Sequence, residues 1–142
     1  MSERINTIGH ALLACSWMPH WSCHYYRLET NSSFTVGDWE YSVVASVVSL
    51  ILYGLLIAGN LASVAFDRPR VIVATVSGIG HATLLCLHIV RLIRPFRFEV
   101  FGFTWSRNSS LREVALIVPF VVLASYLALR YRNAKFTPTQ RA

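Results

Sequence analysis

Five histidines and three cysteines hold most of the coordination chemistry in this 142-residue chain, and they fall into two groups. His10 and His81 each follow a glycine. Residues 8–15 read IGHALLAC and residues 79–86 read IGHATLLC, six of eight identical at an offset of 71. Two neutral imidazoles on facing helices are a standard way to hold a b-type haem, and Gly9 and Gly80 would let the flat ring approach the backbone. The alternative for each histidine is one hydrogen bond to a neighbouring helix, with no ligand. No CxxCH motif is present, so a haem here would be bound without a covalent link.

The second group is His20, Cys23 and His24, with His88 brought alongside if the third helix ends beside the first. His20 and His24 are four residues apart and so share one helical face; with Cys23 or His88 they compose a donor set for tetrahedral zinc or copper. Pro19 works against that spacing, and the alternative is a set of interfacial side chains among aromatics. Cys15 and Cys86 read as small buried hydrophobes. Three cysteines without a CxxC pair imply neither a disulfide framework nor a four-cysteine zinc site. No Ser-His-Asp set, phosphate-cradling loop or HExxH is present, and Gly78-Ile-Gly80 lacks the strand and third glycine of a dinucleotide fold. The expectation leans away from an enzyme.

The elements that position these residues follow from composition. The chain is 54% hydrophobic and only 14% charged, whereas a soluble domain carries about 25% Asp, Glu, Lys and Arg. Aromatics at 13% exclude a disordered tail. The net charge of +6 comes from Arg and a single Lys135 that flank apolar runs, without an aromatic-interleaved basic groove, so nucleic acid is excluded as a partner.

Residues 41–66 and 71–90 are uncharged runs of 26 and 20, separated by four residues that include Pro69. Each matches the roughly 20 residues that cross about 30 Å of hydrocarbon, and together they read as an antiparallel helical hairpin. Residues 111–129 make a shorter span that borrows length from snorkelling Arg130. Residues 5–26 are uncharged but hold His10, Pro19, His20 and His24; a targeting segment and an interfacial helix compete with a span. The offset of 71 decides for a span, because it implies a duplicated two-helix hairpin, residues 1–71 and 72–142, with the halves parallel in the membrane. A second likeness, His24-Tyr-Tyr-Arg27-Leu28 to His88-Ile-Val-Arg91-Leu92, fits that offset only if about seven residues are inserted.

The expected fold is therefore an all-α integral membrane protein: a single domain over residues 1–142, four spans, and both termini on one side, the cytoplasmic side on a slight bias in flanking basic residues. Trp17, Trp21, Trp39 and Trp105 lie near the other face as an aromatic belt. There Phe34-Thr-Val36 and Phe96-Arg-Phe98-Glu-Val100 alternate with period two, as short surface strands do. Asn60 is the polar residue of a long span and is expected to make an interhelical hydrogen bond. The function expected first is an accessory, assembly or scaffold subunit, in contact with lipid and with other membrane subunits or itself. A b-type cytochrome using His10 and His81 comes second, and a small-solute transporter third.

Overall fold

A computed structural model describes residues 2–66, 70–100 and 103–136. Four helices hold most of them: α1 (Ser2–Thr30), α2 (Val43–Ala65), α3 (Arg70–Ile93) and α4 (Arg107–Phe136). Between α1 and α2 lie β1 (Phe34–Val36) and β2 (Trp39–Glu40); between α3 and α4 lie β3 (Phe98–Val100) and β4 (Phe103–Thr104). The class is all-α, with a small sheet where period-two alternation predicts strands.

Local chemistry explains the boundaries. Helix α1 runs straight through Pro19, which has no N–H to give the Cys15 carbonyl. It stops at Asn31, whose φ of 52° is left-handed, while the Ser32 N–H donates back to the Arg27 carbonyl at 3.2 Å. The Ser42 hydroxyl caps α2 by accepting from the Ala45 N–H at 3.0 Å, and Ser106 does the same for α4, accepting from Ser109 at 3.2 Å. Gly37, with φ of 64°, sits in the two-residue turn between β1 and β2, a place that calls for a residue tolerant of positive φ.

The sheet has the order β2-β1-β3-β4, antiparallel throughout. At its centre Thr35 faces Glu99, Phe34 faces Val100 and Val36 faces Phe98. Adding 64 to Phe34, Thr35 and Val36 gives Phe98, Glu99 and Val100, so the central pair is its own image under that shift. The same shift carries Ser42 onto Ser106, Ser46 onto Ser110 and Tyr41 onto Trp105, each in an equivalent contact. The two halves thus repeat at 64 residues and not at the expected 71. The difference of seven is about two helical turns, and the likeness of His24 to His88 follows the structural repeat without any insertion. Helix α3 also starts at Arg70, ahead of the expected boundary between 71 and 72.

Packing follows these halves. Helix α1 lies along α2 and α3 along α4, whereas the consecutive helices α2 and α3 meet over a short stretch. Arginines tie the sheet to each helical pair: Arg27 donates to the Tyr41 carbonyl, and Arg91 donates to the carbonyls of Phe96 at 3.2 Å, Ser106 at 3.0 Å and Trp105. A planar guanidinium suits this task because its donors fan out in one plane.

The molecule is polar inside and apolar outside. Among the described residues, fourteen buried side chains are polar or charged and nine are hydrophobic, while Val44, Leu55, Ile72, Ile79 and Val122 are among many large apolar side chains left exposed. A water-soluble domain shows the reverse. Helices α2, α3 and the stretch Arg107–Asn133 are long and apolar enough to cross a membrane. Helix α1 falls short of that average because of its histidines and charges. Yet it turns Asn6, His10, His24 and Arg27 inward and Ile5, Ile8, Leu12 and Met18 outward. Cys15 and Cys86 are exposed, not buried as expected, and Cys23 is half-buried.

Candidate functional site

A cavity of about 550 Å³ lies between the two helical pairs, with the sheet forming one end of it. Phe34, Val36, Phe98 and Val100 line that end. Below them stand His24 and His88, related by the 64-residue shift. Each points Nδ1 at a serine of the second helix in its own half, Ser46 and Ser110, at 3.4 Å in both cases. His20 comes a turn deeper, within electrostatic reach of His24, His81 and His88, and its ring lies 5.7 Å from those of Trp17 and Tyr53. Among the described residues neither nitrogen of His20 has a hydrogen-bond partner. His81 and Ser16 line the far end.

From there a chain of hydrogen bonds leaves the cavity and crosses three helices. Ser16 on α1 meets His81 Nε2 at 2.9 Å; His81 Nδ1 donates to the Ser77 carbonyl at 2.8 Å; Asn60 Nδ2 on α2 donates to Ser77 Oγ at 2.9 Å; and His10 Nδ1 meets Asn60 Oδ1 at 2.9 Å. The directions are fixed by chemistry. A carbonyl only accepts, so His81 carries its proton on Nδ1, and the Asn60 amide oxygen likewise requires the proton on His10 Nδ1. Asn60 thus makes the interhelical bond expected of it, to two partners.

The proposed haem pair is not formed. His10 and His81 are not equivalent in the structure: the 64-residue shift carries His10 onto Ala74 and Trp17 onto His81. Both nitrogens of His81 are engaged, and its ring is covered by Trp17 at 4.1 Å and Phe120 at 5.5 Å. His10 is fully buried, stacked 5.8 Å from Tyr131, and does not line the cavity. Neither glycine leaves a slot for a macrocycle. A Cβ on Gly80 would stand 2.8 Å from the Trp17 ring, and one on Gly9 2.9 Å from Leu127. These glycines admit neighbouring side chains and hold no plane open.

The second expected set is brought together but not as a metal centre. His20, Cys23, His24 and His88 all line the cavity, yet among the described residues no group of three or more His, Cys, Asp or Glu is arranged to hold an ion. The regular helix through Pro19 does preserve their shared face, so the spacing survives.

Several cavity residues escape sequence reasoning. Glu113 lines the cavity from α4, within electrostatic reach of Cys23. Counting spans from uncharged runs puts it at a boundary; the Ser106 cap, which starts α4 at Arg107, is the signal that places it inside the helix. Tyr41, Tyr53 and Trp105 also face the cavity. Trp17, expected in a surface belt, is 1% exposed and wedges between α1 and α3.

No protein-family model, curated protein or solved structure matches the chain.

Proposed function

We propose that the protein is a four-span membrane protein that binds a small, largely apolar molecule between its two helical pairs. The observation that carries this reading is the cavity of about 550 Å³, a size typical of small-molecule sites, with a few polar side chains set among apolar and aromatic ones. Three apolar helices and the outward stripe of Ile5, Ile8, Leu12 and Met18 on α1 support insertion of all four. The basic residues Arg4, Arg130 and Arg132 near the chain ends favour termini on the cytoplasmic side.

The accessory-subunit expectation rests on exposed apolar surface, which lipid covers as well as a partner does. The cytochrome reading loses its ligand pair. Transport shares the need for a central cavity and for parallel halves, and a binding site is the part of it that the geometry supports.

Native mass spectrometry of chain purified in mild detergent tests the proposal. The wild type should release a bound small molecule, and Leu84→Trp, which adds bulk to the cavity wall, should not. If wild type and variant are equally bare, with helicity the same in both, the proposal fails.

A further inference from the structure

The repeat makes it possible to separate what builds the fold from what serves the cavity. Residues with a structural task occur twice: His24 and His88 on their serines, Arg27 and Arg91 on their carbonyls, Ser42 and Ser106 as caps. On other parts of the cavity wall the repeat breaks. His20, Cys23 and Tyr53 become Leu84, Leu87 and Ile117 under the 64-residue shift, so a polar wall faces an apolar one.

The largest break is at position 49. Ser49 is buried and its hydroxyl meets Tyr41 at 2.8 Å, a purely internal contact. Its counterpart Glu113 opens onto the cavity and is the one acidic side chain lining it among the described residues. Among the described residues no Arg or Lys lines the cavity, and Glu113 has no hydrogen bond or ion pair. Basic groups beside the sheet have other contacts: Arg27 and Arg91 bond backbone carbonyls and Arg97 pairs with Glu99. An ionised carboxylate in apolar surroundings is stabilised by a cation against it, and none of the described residues supplies one. The same cavity is lined by Tyr41, Tyr53, Trp105 and Phe120, aromatic side chains of the kind that attract an organic cation.

We propose that the ligand is a protonated organic amine with an apolar body, its ammonium held by Glu113 and its body laid against Leu84, Leu87 and Ile117. This deepens the small-molecule reading and rests on it.

Binding to the detergent-solubilised full chain is measured for two probes of one shape, 4-phenylbutyl-dimethylamine and the uncharged 4-phenyl-1-butanol. The amine should bind the wild type more tightly than the alcohol. Glu113→Gln should weaken the amine by about thirtyfold or more, as when one partner of a buried charge pair loses its charge, and leave the alcohol unchanged. Glu113→Asp keeps the charge and should retain most of the affinity, which separates charge from folding. Equal binding of both probes to the wild type, or equal amine binding by wild type and Glu113→Gln, overturns the amine inference while leaving the cavity reading intact. Failure of the amine to bind the wild type overturns it as well. The cavity reading is judged separately, by whether a molecule co-purifies with the wild type and is lost in Leu84→Trp.

Discussion

Replacing Asn60 tests the hydrogen-bonded chain that leads from the cavity wall to His10. Asn60 is fully buried and makes two interhelical contacts, to His10 Nδ1 and Ser77 Oγ, each at 2.9 Å, besides one to its own helix. Leucine has the same branching and number of side-chain heavy atoms, so Asn60→Leu removes the bonds without opening a void. Interhelical hydrogen bonds in membrane proteins average about 0.6 kcal/mol and reach about 1.7 kcal/mol. Losing two should therefore cost about 1–3 kcal/mol. Ser77 can turn its hydroxyl to its own helix, but the His10 N–H has no second acceptor, so most of the loss falls on that bond. His10→Phe keeps a ring against Tyr131 and deletes the same bond from the other side. A double-mutant cycle, read by reversible unfolding in bicelles, should give a coupling of about 0.6–1.7 kcal/mol between the two positions. Additivity within about 0.3 kcal/mol would refute the contact and the tautomer assigned to His10 with it.

Gly80→Ala should destabilise by about 1–3 kcal/mol, because the rigid ring of Trp17 must move. Gly9→Ala, which meets the flexible ends of Leu127 and Leu123, should cost less than about 1 kcal/mol in the same unfolding assay. Arg91→Lys should loosen the sheet while sparing the helices, since one ammonium cannot serve the carbonyls of Phe96, Trp105 and Ser106 together. Hydrogen exchange at Phe98 and Val100 should then speed up by about tenfold, and unchanged exchange there would contradict that role. Single cysteines at Glu3 and Arg132, each in a chain without its own cysteines, should react with an impermeant maleimide from one side of the membrane, and one at Asp38 from the other. Labelling of Glu3→Cys from the Asp38 side would show that α1 does not cross.

Which parts of this fold are legible in the chain depends on what each signal reports. Uncharged runs mark helices well, because desolvating a charge is the dominant cost in an apolar medium; three of the four stand out in that way. The strands at Phe34 and Phe98 show through their period of two. Helix α1 is harder, since its polar residues are many and only their common inward direction makes it apolar outside. The repeat misleads for a related reason. Eight similar letters around His10 and His81 outweigh the sparser likeness of His24 and His88, but it is the latter pair, with Arg27 and Arg91, whose contacts set the register. A small apolar motif fits a helix equally well two turns higher. The cavity itself has no sequence signature, because it is a space that side chains from all four helices and the sheet leave between them. Glu113 belongs to that space and is visible only once the Ser106 cap fixes where α4 begins.

The pairing of β1 with β3 about Thr35 and Glu99 has one more consequence. An edge that matches its own image is isologous, so each half presents the strand that a second copy of itself would need. A chain of half the length could close the same four-helix assembly as a homodimer. In a single chain the two walls need not be identical, and here one carries His20 and Tyr53 where the other has Leu84 and Ile117.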